Sequence, residues 1–217
     1  MAQDGKEGVG RAMGLSAATI RTGLDAVAAR EPAFAAALEL AGYPEPRIRE
    51  RGYRTLLRTI VGQQVSVAAA ASVWGKLEAE LGKDIAPAAL LSRDHDTLRA
   101  CGLSRQKQGY ARSLCELVEG GALDLESLPE DDEAAIAELV RIKGIGRWSA
   151  EIYLLFAEGR PDIWPAGDLA VMAGLAKILE LEERPDEKKA REMGEAWRPW
   201  RGPVALFTWH CYNNPAL

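Results

Sequence analysis

The feature that most constrains this chain is its punctuation. Apolar residues recur at helical spacing in short runs, each cut off by glycine, proline or a capping residue, and no segment alternates with the period of two that a half-buried strand requires. Helices are therefore expected over residues 17–29, 32–41, 53–61, 66–81, 88–91, 95–100, 104–119, 131–140, 146–157, 169–180, 186–198 and 202–213, giving an all-α protein of about ten short helices. Ser66 and Ser104 stand where N-caps belong, and Gly42, Gly82 and Gly102 where helices stop.

Composition removes several function classes. No apolar run approaches the roughly 20 residues of a membrane span, so no membrane partner is expected. Residues 1–12, MAQDGKEGVGRA, lack the apolar core of a signal peptide and read as a polar tail; a cytoplasmic, nucleoid-associated setting is expected. Cys101, Cys115 and Cys211 are too scattered for a disulfide framework or a Cys-x-x-Cys site, and two histidines, His95 and His210, cannot build a histidine-rich metal centre.

The net charge of −5 speaks mildly against nucleic acid. Its distribution answers the objection: residues 124–138 hold seven acids and no base, whereas Arg47, Arg49, Arg51, Arg54 and Arg58 cluster, as do Arg105, Lys107 and Arg112, and Arg141, Lys143 and Arg147. One face can be basic on an acidic whole, although each cluster taken alone is also what a solvated helix face looks like.

The most informative stretch is residues 139–151, LVRIKGIGRWSAE. A helix ends near Val140, a turn is built on Gly144, Ile145 and Gly146, and a second helix starts at once. Glycines permit positive φ and close approach to a ligand. The new helix opens with N–H groups that lack internal partners and carry partial positive charge, a small anion site suited to one phosphate. Lys143 and Arg147 would add charge at its rim. Some twenty residues on, WPAGD (164–168) places Asp168 where another helix begins; alone, it reads as an N-cap contributing about 1 kcal/mol.

Together, hairpin, Gly/Pro loop and Asp resemble the helix-hairpin-helix–GPD superfamily of base-excision DNA glycosylases, over about 160 residues from Tyr53 to Asn213. Within it the chain resembles the alkylation-repair branch, 3-methyladenine DNA glycosylase II, through IVGQQVSVAAAA (60–71), GLSRQKQGYARSLCELV (102–118) and WRPWRGPVALFTWH (197–210). Lyase members carry a lysine two residues after the second hairpin glycine; Trp148 stands here, so no amine nucleophile is present and strand cleavage is not expected. Cys211 stands alone where other members hold a four-cysteine iron–sulfur cluster. The space before Tyr53 does not suit the extra N-terminal β domain of one bacterial member, implying a short, two-lobed form.

The resemblance implies two helical lobes flanking a DNA-binding cleft: a central lobe of residues 58–164, and a second made of 1–57 with 165–217. It implies a monofunctional enzyme that flips an alkylated purine (3-methyladenine or 7-methylguanine type) out of duplex DNA and hydrolyses its glycosidic bond. Asp168 would be the catalytic carboxylate; Trp148 and Trp209, with Tyr53 and Tyr153 weaker candidates, would line the base pocket. Gly144, Ile145, Gly146, Arg147, Lys143, Gln63, Gln64, Arg105 and Lys107 would meet DNA, Gln64 filling the vacated stack. Leu169 and His210 replace two tyrosines of the bacterial relative. No cofactor is implied; the family suggests only a monovalent cation, Na+ or K+, on carbonyls of Val140, Ile142 and Ile145. A monomer acting on damaged duplex DNA is expected. The alternatives are a glycosylase for other damaged or mismatched bases, a non-catalytic damage-binding protein, or a helical interaction scaffold.

Overall fold

The computed structural model describes residues 14–214, so the expected tail at 1–12 lies outside the described residues. Within them helix is the regular secondary structure, with no strand. The helices are α1 (Ala17–Ala28), α2 (Pro32–Ala41), α3 (Tyr53–Gly62), α4 (Val67–Leu81), α5 (Pro87–Leu91), α6 (His95–Ala100), α7 (Arg105–Glu119), α8 (Asp132–Val140), α9 (Arg147–Tyr153), α10 (Leu169–Ile178), α11 (Glu187–Gly194) and α12 (Arg201–Asn213). That is twelve α-helices among the described residues, one for each span read from sequence, where the rough total was about ten.

The caps explain the boundaries. The side chains of Ser16, Ser66, Asp94, Ser104, Asp131, Asp168 and Asp186 each accept a backbone N–H of the helix they precede. Pro32 and Pro87 open α2 and α5, where a missing N–H costs nothing. Two expected ends differ. The helix from 147 does not run on as α but widens into a π turn at Leu154–Glu158, and α11 stops at Gly194, where a 3-10 turn, Glu195–Trp197, takes over.

Packing sorts the helices into two groups. One comprises α3 to α9, in which α7 packs on α3, α5 and α6, and α9 on α3 and α8. The other comprises α1, α2, α10, α11 and α12, with α12 against α10, α1 and α2. The sequence-based division at residue 58 would cut α3 in half; α3 packs as one piece on α4, α7 and α9. No helix among the described residues is long and apolar enough to cross a membrane.

One crossing is unusually close. A Cβ on Gly174 would lie 2.1 Å from the Thr208 carbonyl oxygen, so α10 and α12 meet backbone against backbone at that glycine. This close approach brings the start of α10, with Asp168, beside Trp209 on α12.

Candidate active site

Asp168 sits at the N-cap of α10 with an extended backbone (φ −77°, ψ 124°). The loop before it is anchored by Trp164, 2% exposed, whose indole N–H donates to the Ala190 carbonyl at 2.9 Å. Asp168 Oδ1 accepts the amides of Ala170 (2.9 Å) and Val171 (3.0 Å). The capping role read from sequence is therefore real. It does not exhaust the residue: Oδ1 also accepts Trp209 Nε1–H at 2.9 Å, and Oδ2 accepts Trp148 Nε1–H at 2.9 Å. Four N–H donors, two from indoles on different helices, converge on one half-buried carboxylate and fix its orientation.

The two tryptophans differ in exposure. Trp148 is 48% exposed and forms part of the wall of a cleft of about 1040 Å³. Trp209 is 6% exposed, its ring tilted on Phe156 with centroids 5.5 Å apart. Trp148 can offer a ring face to a ligand; Trp209 offers chiefly its N–H to Asp168. Tyr53 departs from expectation, since it faces a separate depression beside Val118 and Leu125 and its hydroxyl meets Cys115 Sγ at 3.3 Å. Burial pushes that phenol well above its usual range. Tyr153 is also internal, its hydroxyl accepting the Gly52 amide at 2.8 Å. Helical spacing brings aromatics into a core as readily as into a pocket, which is why sequence could not separate these two.

The hairpin runs from the end of α8 to the start of α9. Ile142 and Ile145 are buried and pin it to the core, while the Ile145 amide donates to the Ile142 carbonyl at 3.0 Å. Only one of the two glycines needs to be glycine for conformational reasons. Gly144 has φ +83°, and a Cβ there would stand 2.2 Å from the Tyr110 ring. Gly146 has φ −90°, and nothing lies within 4 Å of the Cβ it lacks; it caps α9 facing open space, with no side chain satisfying the first amides.

Gln63 donates through Nε2 to the Gly144 carbonyl at 2.7 Å, tying the end of α3 to the hairpin. Next to it Gln64 is exposed at φ +54°, a conformation uncommon outside glycine and asparagine, on the rim of the cleft.

The cations are sorted less kindly to the sequence reading. Arg147 is not free at the rim: it is bidentate to Glu133 and also bonds Glu151 Oε1 at 2.9 Å. Glu151, 2% exposed, also accepts from Arg191 of α11 at 3.3 Å; burial raises its pKa despite two guanidiniums. Lys107 turns inward to the Val61 carbonyl at 2.7 Å, and burial lowers its pKa. Lys143 is exposed and enters no ion pair among the described residues, with its backbone amide held by Ser113 Oγ at 3.2 Å. Arg105 is exposed too, near Arg99 and His95 in another depression.

Sequence reasoning counted Arg49 and Arg58 only within a basic cluster and passed over Tyr110; all three help to wall the cleft. The arginine cluster was a visible signal; the contact of Tyr110 with Gly144 was not. Leu169 is exposed, whereas His210 is held through Nε2 by the Ala41 carbonyl at 2.8 Å, away from Asp168. Among the described residues no group of three or more His, Cys, Asp or Glu side chains could hold a metal. The carbonyls of Val140, Ile142 and Ile145 do lie on the hairpin, and that of Ile142 keeps one lone pair after accepting Ile145.

Comparison with known proteins gives one consistent answer. Residues 57–199 match the HhH-GPD superfamily base excision DNA repair protein family. DNA-3-methyladenine glycosylase 1 of Schizosaccharomyces pombe is 28% identical over 165 residues, 74% of this chain and 72% of that protein. A crystal structure of DNA-3-methyladenine glycosidase from Bacillus halodurans superposes with a TM-score of 0.79 at 30% identity, covering 88% of this chain and 89% of that one. The Schizosaccharomyces pombe 3-methyladenine DNA glycosylase in complex with abasic DNA shares the fold, with a TM-score of 0.74 at 24% identity over 90% of this chain and 98% of that one.

Proposed function

This chain belongs to the HhH-GPD superfamily of base excision DNA repair proteins, and from that premise we propose that it is a monofunctional DNA glycosylase releasing alkylated purines, of the 3-methyladenine and 7-methylguanine type, from duplex DNA. The observation that carries the proposal is the convergence of both indole N–H groups and two backbone amides on Asp168.

A base inside a duplex is shielded, so the nucleotide must swing out, at a cost of a few kcal/mol. The exposed Gln64 is suited to fill the gap, and the Gln63 bond to Gly144 ties that wedge to the turn which grips the backbone. The amides opening α9 take the phosphate, with the exposed Lys143 adding charge at the turn. The extruded base stacks on Trp148, whose electron-rich face favours a cationic base by roughly 0.5–2 kcal/mol.

As the glycosidic bond breaks, positive charge builds on the sugar. The carboxylate of Asp168 stabilises it and orients the attacking water, chiefly through Oδ2, which carries one hydrogen bond against the three on Oδ1. A purine already alkylated leaves as a neutral base and needs no general acid. With Trp148 in place of an amine, no Schiff base forms and the strand stays intact. The proposal includes monomeric action at the nucleoid and one monovalent cation on the carbonyls of Val140, Ile142 and Ile145, a donor set of neutral oxygens suited to such an ion.

Incubation with duplexes containing 7-methylguanine or 3-methyladenine, with chromatography of the freed bases, tests the proposal. Free base and intact abasic strands are expected. Binding without any base release would refute the enzymatic reading.

A further inference from the structure

Many arginines of the chain are consumed internally: Arg51 by Glu158, Arg54 by Glu78, Arg147 by Glu133 and Glu151, Arg160 by Asp132, and Arg201 by Asp162. Arg47 and Arg49 are treated differently. Both lie on the non-helical strap of residues 42–52 between α2 and α3, and neither enters an ion pair or a side-chain hydrogen bond among the described residues. The strap is fixed where it matters, because the Arg49 amide donates to the Phe156 carbonyl at 2.9 Å. Both guanidiniums then lie over aromatic rings, Arg47 at 5.8 Å from the Trp209 centroid and Arg49 at 5.6 Å from that of Phe156. Those rings touch each other, and Trp209 holds Asp168. Partial burial, and to a lesser degree the neighbouring charge of Arg47, lowers the pKa of Arg49. Two unpaired guanidiniums therefore border the aromatic pair that abuts the reacting carboxylate, and Arg49 shares the cleft with Trp148.

We propose that Arg47 and Arg49 are specificity-determining residues, which set how fast neutral damaged purines leave relative to cationic ones by assisting departure of the neutral base. The inference rests on the glycosylase reading above and deepens it. In either case the C1′–N9 bond breaks with its electron pair moving to the base, and water adds its hydroxyl to C1′. A cationic purine is neutralised by that electron pair, and the proton that water gives up passes to solvent by way of the Asp168 carboxylate. A neutral purine becomes an anion until it takes up the proton that water gives up, and its negative charge spreads over N3, N7 and any exocyclic oxygen. A guanidinium presents five N–H donors to such acceptors and cannot itself be deprotonated there. Toward a base already positive, the same two cations offer no help and some repulsion. Phosphate contacts alone would serve every duplex equally and would leave no preference between bases.

The test compares kcat/KM for duplexes carrying hypoxanthine, a neutral purine, or 7-methylguanine, a cationic one, for the unaltered chain and for R47Q/R49Q. The expected result is a fall of at least tenfold in the hypoxanthine to 7-methylguanine ratio, recovered in large part by R47K/R49K, which keeps the charges. Both sites lie on the exposed strap, and thermal melting checks that the double variant folds. A ratio that moves by less than tenfold overturns the inference, including the case in which both activities drop together as phosphate contacts require. If the unaltered chain frees 7-methylguanine but no hypoxanthine, the inference falls and the glycosylase reading stands; if it frees neither, both fall.

Discussion

Asp168 performs two jobs that substitution can separate. The change Asp168→Asn would keep an amide oxygen for Ala170, Val171 and Trp209, and asparagine caps a helix about as well as aspartate. The new NH2 would face the Trp148 N–H donor to donor, but that indole is 48% exposed and can turn to water. The stability cost of Asp168→Asn is thus about 1 kcal/mol or less. The chemistry loses the one negative charge beside the developing sugar cation, and removal of a single preorganised electrostatic group costs about 2.7–4 kcal/mol, roughly 100- to 1000-fold in rate. Asp168→Ala removes the cap as well, about 1 kcal/mol. It also leaves the Trp209 N–H, on a ring 6% exposed, without an acceptor, adding about 1–3 kcal/mol. Urea titrations should therefore separate the two variants by about 1–4 kcal/mol, while single-turnover release of 7-methylguanine should be nearly absent in both. If Asp168→Asn retains activity within about tenfold of the unaltered chain, the carboxylate is a cap and nothing more, and the proposed mechanism is wrong.

Three further substitutions probe the parts that present this carboxylate. Gly144→Ala forces a Cβ to within 2.2 Å of the Tyr110 ring at φ +83°, and should lower stability by about 2–5 kcal/mol; an unchanged urea midpoint would contradict the close approach. Gly146→Asp meets open space, so the fold should hold within about 0.5 kcal/mol while affinity for damaged and undamaged duplex falls together, by about tenfold, in fluorescence anisotropy. Full affinity in that variant would rule out the amides opening α9 as the phosphate site. Gly174→Ala pushes α10 off the Thr208 backbone and should cost at least about 3 kcal/mol, with loss of base release because Asp168 and Trp209 move apart; a stable, active variant would show that the crossing does not set the site.

Much of this was legible in the chain, and the remainder was hidden for reasons that can be named. Helix boundaries could be read because their signals are local: Ser66, Ser104 and Asp131 cap the helices they precede, and Gly82 ends α4 as expected. The hairpin and Asp168 could be read because fixed spacing and glycine chemistry survive without knowledge of partners. What spacing cannot reveal is which groups a side chain will spend itself on. Tyr53 and Trp148 are both aromatics on helices, yet one closes on Cys115 and the other opens to the cleft, a difference made by α7 and not by any neighbour in sequence. The π turn after α9 left no local mark either, since Leu154 to Glu158 has ordinary helical composition.

Charge was the quantity read least well, and the reason bears on how such a protein binds DNA at all with a net charge of −5. Counting basic residues treats each as available. Arg147, expected with Lys143 at the rim of the hairpin, is neutralised by Glu133 and Glu151, and Glu151 in turn links α9 to Arg191 of α11; the work of Arg147 is to hold the element that carries Trp148. Lys107 is used up on the Val61 carbonyl at the end of α3. Among the described residues, the cations left without a carboxylate include Lys143 on the hairpin, Arg105 at the start of α7, and Arg47, Arg49 and Arg58 near the cleft, with Arg58 held over Trp74 at 4.4 Å. Some of the acids that make the total negative are spent on other arginines, among them Asp132 and Glu133 on α8 and Glu187 on α11. A polyanion approaching the cleft therefore meets the local charge and not the sum: Arg49, Arg54 and Arg58 stand on its wall against the single carboxylate of Glu50.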